Sequence, residues 1–371
     1  MNKWTINNFS ECIDPVRIDR SRQVKAATYL TAGKYPIVDQ GQSDITGWTD
    51  DVSTVISENL PYIIFGDHTR IFKYVDFPFA LGADGTKLIK PRSDINPRYF
   101  YYYLLLLDIP SKGYSRHYQL LKEKDISLPP FPEQEKIAAV LLKLQNAILI
   151  QEKIIQSLRD LKKSTMNFVF SRGLHGEKTK YTPIGEIPES WEVKDFVNLA
   201  TLHRGYDLPV QERIEGSIPI IGSNGIVGHH NVAKVKAPGV VTGRSGSIGI
   251  SYYVDVDYWP LNTGLYVSDF NNNNPLFVHY YFESFDFKKY AAGVSVPTLN
   301  RNLVHSVKIA IPMKEEQVEI AKVLGSIDKK YSFHQSKKSS LQDLFKTILN
   351  KLMTGEIRVG ELDIDVESVK I

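Results

Sequence analysis

The sequence predicts a mixed α/β (α+β) fold, with two globular domains each followed by a long helix, arranged as an internal repeat. Three observations carry this. "LPPFPEQEKIAAVL" at Leu128–Leu141 returns as "IPMKEEQVEIAKVL" at Ile311–Leu324, with Gln134 and Gln317 183 positions apart in a chain of 371 residues. A repeat of this kind has to be settled before single elements are assigned. Each copy opens a run of roughly forty residues with apolar positions at helical spacing. Ahead of each run lie β-branched and aromatic segments cut by Gly, Asn and Ser clusters, the pattern of short strands joined by turns.

The elements follow in the same order in both halves. "KYPIVDQGQSDITGW" (Lys34–Trp48) resembles "SIPIIGSNGIVGHH" (Ser217–His230), each a strand and then a turn. "IIFGDHTRIFKYVDFPFAL" and "VVTGRSGSIGISYYVDVDYWPL" come next, two strands around a glycine loop. "NPRYFYYYLL" from Asn96 and "NPLFVHYYFE" from Asn274 predict short helices, with Asn as N-cap and Pro in the first turn. Amino-methyltransferases use a related Asn/Asp-Pro-Pro-aromatic loop. Both copies here lack the second Pro, and no Phe-x-Gly-x-Gly loop follows a strand, so the capping reading is preferred.

The first long helix is predicted from Glu133 to Arg172, preceded by Pro129, Pro130 and Pro132 and followed by Gly173. Val140, Ala147, Ile154, Leu161 and Phe168 recur every seven residues. Ile137, Leu141, Leu144, Ile148, Ile155 and Leu158 lie beside them at coiled-coil spacing. At ~1.5 Å per residue such a helix is about 60 Å long, more than a small domain covers, so it is expected to pair with a second long helix. Glu316–Met353 supplies one, with Ile320, Leu324, Ile327 and Tyr331 in one stripe and Leu341, Phe345, Ile348 and Leu352 resuming it. The polar "HQSKKSS" between them predicts a weak point or bend. A coiled coil suits the length, and an ordinary helix-bundle core is the alternative. "SRGLHGEKTKYTPIGEIPESWEV" reads as a linker into a second domain at Trp191. The expected limits are 1–127 and 177–309 for the two domains, with 128–176 and 310–371 for the helices and their linkers.

Composition narrows the class. Apolar content of 42% and charged content of 23% describe an ordinary globular chain. The 20 Tyr and 17 Phe favour β-rich domains and stacking or interface surfaces. A single cysteine, Cys12, excludes a disulfide framework and a cysteine-rich zinc site. The start "MNKWTINNFS" has no signal-peptide core, and "YFYYYLLLLDI", the longest apolar run, is too short to span a bilayer. A cytoplasmic protein without membrane contact is expected. A net charge of +3 does not by itself announce a nucleic-acid binder, so a DNA-binding role would draw part of its electrostatics from partners.

No motif carries catalytic chemistry. "GRSGSIG" at Gly243–Gly249 lacks the Gly-Lys-Ser/Thr of a phosphate loop. His229–His230 has no carboxylate pattern for a metal, and Asp67–His68 has no Ser or Cys partner. Glu133 and Glu135 suit a helix N-terminus, although a repeated Glu-Gln also suits docking.

The Pro-Pro-x-Pro-Glu-Gln-x-x-Ile-Ala-x-Val-Leu pattern, the heptad helix ending near "LKKSTMNFVFSRG" and the segment "IGEIPESWEV" resemble the specificity subunit of type I restriction–modification enzymes. "IPMKEEQVEIAKVLGSID…LFKTILNKLMTGEIRV" is similar to that family's C-terminal conserved region. Met313 and Lys314 depart from the usual proline and apolar residues. The resemblance covers essentially the whole chain. It implies two target-recognition domains, each reading one half of a split DNA site, held apart by an antiparallel coiled coil. It also implies two modification subunits that carry S-adenosylmethionine and methylate adenine, with restriction subunits where they are encoded. The chain itself would hold no cofactor or metal and perform no catalysis.

On this reading DNA contacts are expected from polar, basic and aromatic residues at glycine-marked turns. In the first domain these are Gln40, Gln42, His68, Arg70, Lys73, Tyr114, Arg116 and His117. In the second they are Arg204, Tyr206, Asn224, His229, His230, Arg244, Ser245, Asn300 and Arg301. Docking and spacing are expected from Glu133, Gln134, Ile137, Leu141, Leu144, Glu316, Gln317, Ile320, Leu324 and Ile327. A protein-binding scaffold that ignores DNA, and a divergent methyltransferase or nuclease, are the competing readings.

Overall fold

The computed structural model describes residues 4–17, 22–82, 85–111, 113, 116–293 and 297–367. Six α-helices lie among them: α1 (Pro97–Leu106), α2 (Tyr118–Lys122), α3 (Phe131–Arg172), α4 (Pro275–Ser284), α5 (Arg301–His305) and α6 (Lys314–Met353). The chain divides into two units, Met1–Glu152 with Lys337–Ile371, and Lys153–Ser336. Each unit therefore takes half of each long helix. The expected limits follow the change from strand to helix patterns, and residues of both long helices complete the core of each unit.

In the first unit Thr5–Asn8 pairs antiparallel with Asp125–Leu128. Ile126 and Leu128 point inward and their neighbours do not, the period-two alternation of a half-buried strand. One four-stranded sheet runs in the order Gly47–Thr49, Tyr35–Val38, Phe79–Leu81, Val55–Ile56. A second runs Ile13–Asp14, Thr86–Pro91, Tyr62–Gly66, Phe72–Val75. Tyr62–Gly66 is buried at every position, which accounts for its unbroken apolar sequence.

The second unit repeats the plan. Glu192–Asp195 pairs with Lys308–Ile311, whose alternation matches that of Asp125–Leu128. Its sheets are Thr201–Arg204, Gly264–Asp269, Gly239–Gly243, Ser251–Val254 and Gly225–His230, Ile218–Gly222, Trp259–Pro260. The parallel pairing of Tyr35–Val38 with Phe79–Leu81 recurs as that of Ile218–Gly222 with Trp259–Pro260. Asn96 and Asn274 cap α1 and α4 through their side chains, with Pro in the first turn of each, as expected.

Both cores are aromatic. Phe9, Phe65, Tyr99, Phe100 and Tyr102 pack with Ile137 and Leu141 of α3 and with Leu349, Leu352 and Met353 of α6. In the second unit Trp191, Phe196, Phe277, Phe282 and Phe287 pack with Ile320, Leu324 and Ile327 of α6 and with Val169 of α3. Each such side chain contributes about 1.5–3 kcal/mol on burial. Within each unit the start of one long helix lies beside the end of the other, so the paired segments are antiparallel.

The buried stripe of α3 follows the second of its two apolar rows. Ile137, Leu141 and Ile155 are buried and Leu144, Ile148 and Leu158 partly so. The strict seven-residue row from Val140 drifts outward, and Leu161 and Phe168 end 49% and 51% exposed. A straight helix turns by ~20° per heptad away from a strict seven-residue row. The helix is not interrupted at "HQSKKSS", and α6 runs from Lys314 to Met353. Polar contacts replace apolar ones there. Gln335 and Arg159 both donate to the Tyr331 hydroxyl, each at 2.9 Å, in the second unit, and Lys338 pairs with Glu152 at 2.8 Å in the first.

Candidate nucleic-acid interface

Hydrogen bonds gather the loops at one end of each unit's strands. In the first unit the Gln40 carbonyl accepts from Thr69 Oγ1 at 2.7 Å, and its side chain accepts from the His68 amide at 3.3 Å. The Asp67 amide donates to the Gly85 carbonyl at 2.6 Å. Gly85 has φ of +69°, and a Cβ there would lie 2.7 Å from both Gln40 and His68, so only glycine allows the approach. Arg70, itself at φ +64°, donates to the Ile109 carbonyl at 2.8 Å. The buried Asp67 carboxylate accepts from the His117 and Tyr118 amides at 2.8 and 2.7 Å and so holds the start of α2.

The structure divides the expected contacts of this unit by exposure. Gln42, Arg70 and Arg116 are exposed, and Gln40 and His68 are half-buried beside them. Tyr114 lies outside the described residues. Lys73 and His117 are buried, at 4% and 0% exposure. Lys73 donates to the Ser43 carbonyl and faces Asp39 at 3.9 Å, and burial holds its ammonium below the ordinary lysine range despite Asp39 and Asp44. Both residues shape the loops from beneath instead of presenting a surface. Their basic side chains suggested contact with DNA, but each is enclosed by protein acceptors.

The second unit gathers the equivalent loops. The Arg244 amide donates to the Thr263 carbonyl at 2.9 Å, the Arg244 carbonyl accepts from the Leu299 amide at 2.8 Å, and Ser245 bridges to Thr298. Ser247 donates to exposed Asn224, and the Ser223 amide donates to Thr263 Oγ1 at 3.2 Å. Arg204 pairs with Asp207 at 3.0 Å, and Asn262 donates to the same carboxylate. Tyr206 is 37% exposed and its hydroxyl lies 3.1 Å from that of Tyr266. Burial, with Tyr206 beside it, pushes Tyr266 up to about 12. Asn300 caps α5 through the Asn302 amide, next to half-buried Arg301.

His229 and His230 lie at the other end of their strand from the Asn224 turn, paired with Pro219 and Ile218. His229 is exposed. His230 is 6% exposed, accepts from the Ile214 amide at 3.1 Å and stands edge-on to Trp259. It too supports the site from inside.

Glu133, Gln134, Glu316 and Gln317 were expected to dock a partner and are spent within the chain, at 4%, 2%, 5% and 2% exposure. Gln134 accepts from the Asn96 amide at 2.8 Å and donates to the Pro129 carbonyl at 2.9 Å. Gln317 does the same with Asn274 at 2.9 Å and Pro312 at 3.0 Å. Glu133 accepts from Arg358 Nε and Nη2, each at 2.8 Å, and from the Trp4 indole at 3.3 Å. The Arg358 guanidinium holds the Glu133 carboxyl below its ordinary range. Glu316 takes the Trp191 indole and the Leu174 amide, both at 2.8 Å. Each helix start thus grips the segment that follows the other helix. Ile137, Leu141, Ile320, Leu324 and Ile327 are core, and Leu144 is half-buried.

Sequence reasoning missed Lys234, Trp259, Asn262 and Thr263, which build or line these loops. The run "VAKVK" beside His229–His230 and the "YWPLN" that matches "FALGA" carried the signal. Among the described residues no cluster of His, Cys, Asp and Glu suits a metal ion, and no helix is long and apolar enough to cross a membrane.

The family model for the type I restriction modification DNA specificity domain matches residues 14–160 and 188–343, once in each half. The chain belongs to this family. It is similar to the type I restriction enzyme MjaVIII specificity subunit of Methanocaldococcus jannaschii, 26% identical over 64% of this chain and 63% of the relative. The putative type I restriction enzyme MjaX specificity subunit of the same organism is 32% identical over 64% of this chain and 60% of the relative. The aligned stretch thus spans less than two thirds of either relative. The fold is that of the solved type I restriction–modification S subunit from M. genitalium, with a TM-score of 0.68, 18% identity and coverage of 94% of this chain and 96% of that one. Two DNA specificity domains in one chain explain the internal repeat.

Proposed function

We propose that this chain is the non-catalytic address-reading subunit of a type I restriction–modification complex in the cytoplasm. Each unit reads one half of a split site in double-stranded DNA. One observation supports this above others: equivalent strand ends in the two units carry loops of unlike side chains. Gln40, His68 and Arg70 stand where the second unit has a different set built on Asn224, Arg244 and Ser245. Like frames with unlike loops suit two different half-sites, and half-sites about one helical turn apart would put both on one face of the duplex.

Two modification subunits would dock on the outward faces of the long helices, where Leu149, Ile150, Leu161, Phe168, Phe333 and Leu344 are exposed. Those subunits would bind S-adenosylmethionine and transfer the methyl group to adenine, and restriction subunits would join where they are encoded.

The test is methylome sequencing of a host expressing the complex. A split adenine-methylated motif should appear only with this chain present. Exchanging the loops around Gln40, His68 and Arg116 should rewrite one half of the motif and leave the other unchanged. Methylation by the purified chain alone, or an unchanged motif after the exchange, would refute the assignment.

A further inference from the structure

The two units diverge sharply at one place in their shared frame. The Val24 amide donates to the Leu81 carbonyl in the first unit as the Tyr206 amide donates to that of Pro260 in the second. Ile37 pairs with Ala80 as Ile220 pairs with Trp259. Ile56 pairs with Phe79 as Val235 bridges to Tyr258. The strand register therefore sets Val24, Ala80 and Val55 equivalent to Tyr206, Trp259 and Lys234. Three small apolar residues have become two aromatic rings and a cation.

The cation is held in place. Lys234 Nζ lies 5.1 Å from the Trp259 ring centre and 5.8 Å from that of Tyr206. Its residue is exposed, so the ammonium faces water on its remaining side. Its backbone amide donates to the Tyr258 carbonyl at 3.0 Å, which ties its base to the same strand. The Trp259 indole N–H is buried without an acceptor. A flexible lysine fixed by two ring faces loses little freedom on meeting an anion. Asp207, the nearest carboxylate on the Tyr206 loop, is occupied by Arg204 and Asn262.

Resting on the DNA-reading function above, we propose that Lys234, seated on Tyr206 and Trp259, is a phosphate-anchoring site for the DNA backbone, standing where the first unit has Val55, Val24 and Ala80. Lys234 carries no base information. It fixes the register in which the loops of the second unit meet base edges. Tyr206 acts through the lysine as a positioning residue.

The experiment uses the full chain in complex with its modification subunits and two short duplexes, one carrying the methylated site and one without it. Affinity is measured between about 50 and 200 mM salt. For Lys234→Gln the slope of log affinity against log salt should become shallower by about 0.9, with equal weakening on both duplexes. Lys234→Arg should restore the slope, and Tyr206→Leu should weaken binding while leaving the lysine charge in place. Circular dichroism of each variant checks that the fold is retained. Wild-type slope in Lys234→Gln would overturn the phosphate site, as would a loss confined to the specific duplex. Failure of the wild-type complex to bind either duplex would instead count against the DNA-reading function itself.

Discussion

Lys162 of α3 offers the sharpest test of how the second unit is held. Its ammonium lies 2.8 Å from Glu283 of α4 and 2.9 Å from Asp328 of α6, and the Tyr280 hydroxyl donates to Asp328 at 2.8 Å. The equivalent residues of the first unit are Phe345, Leu105, Gln145 and Tyr102, with the Tyr102 hydroxyl donating to Gln145 at 2.6 Å. An ion triad has thus replaced a neutral set at three separate points of the chain. Burial pulls the Lys162 pKa down and the two carboxylates outweigh it, while at Glu283 burial dominates and the carboxyl is pushed up. Removing one member of a buried ion set costs about 3–5 kcal/mol, and an exposed pair is worth less than about 1 kcal/mol. Side-chain exposures of 23%, 27% and 35% place this triad between those limits. Lys162→Met should therefore cost about 2 kcal/mol and lower the midpoint of the second unit by roughly 4–8 °C in calorimetry. The triple change Lys162→Phe, Glu283→Leu, Asp328→Gln copies the neutral set and should recover to within about 1 kcal/mol of wild type. A midpoint unmoved by Lys162→Met, or a triple variant weaker than the three single variants together, would refute the reasoning.

Other outcomes are accessible to the same methods. His279 is held at about 4 by burial and by nearby Lys162, so its neutral form adds stability that is complete above about pH 6.5 and lost as pH falls towards 4. His279→Gln should flatten that slope in acid titrations of the melting temperature. Glu133, held low by Arg358, contributes stability present above its ordinary pKa of 4.5 and lost at lower pH; Glu133→Gln should remove this acid limb. Gln134→Ala leaves the Asn96 amide and the Pro129 carbonyl without their partner and should cost about 1–3 kcal/mol in denaturant titrations. Gly173→Ala, at φ +67° with a Cβ 2.7 Å from Glu316, should cost at least about 1 kcal/mol by the same measurement.

The repeat, the long helices and the Asn-Pro caps were legible because each rests on local chemistry. A side chain that caps its own helix, or a proline in a first turn, leaves its mark within four residues. The fate of Glu133 and Glu316 was not legible in that way. An acid in the first turn suits the helix dipole whether it faces outward or inward, and the deciding partners, Trp4 with Arg358 and Trp191 with Leu174, are far off in sequence. The outward drift of Leu161 and Phe168 was hidden for another reason. Two apolar rows share α3, and only the partner helix selects one as the seam. For the loops, residue type indicated polarity but not depth, so Lys73, His117 and His230 looked like Gln42 and Arg116 until their acceptors were visible. Lys234 passed unnoticed because its importance lies in the contrast with Val55, which only strand register reveals.

The polar midsection of α6 bears on hydrogen exchange. Most helices exchange fastest at their ends. Here the starts are locked by Gln134 and Gln317, and the segments beyond the ends by Glu316 and Glu133. The middle of α6 rests on Tyr331, Gln335 and the Lys338–Glu152 pair, with no buried residue between Ile327 and Leu349. Local opening is easiest where few apolar contacts would be lost. Deuterium should therefore enter α6 first near Lys338 and reach its termini later, the reverse of ordinary fraying.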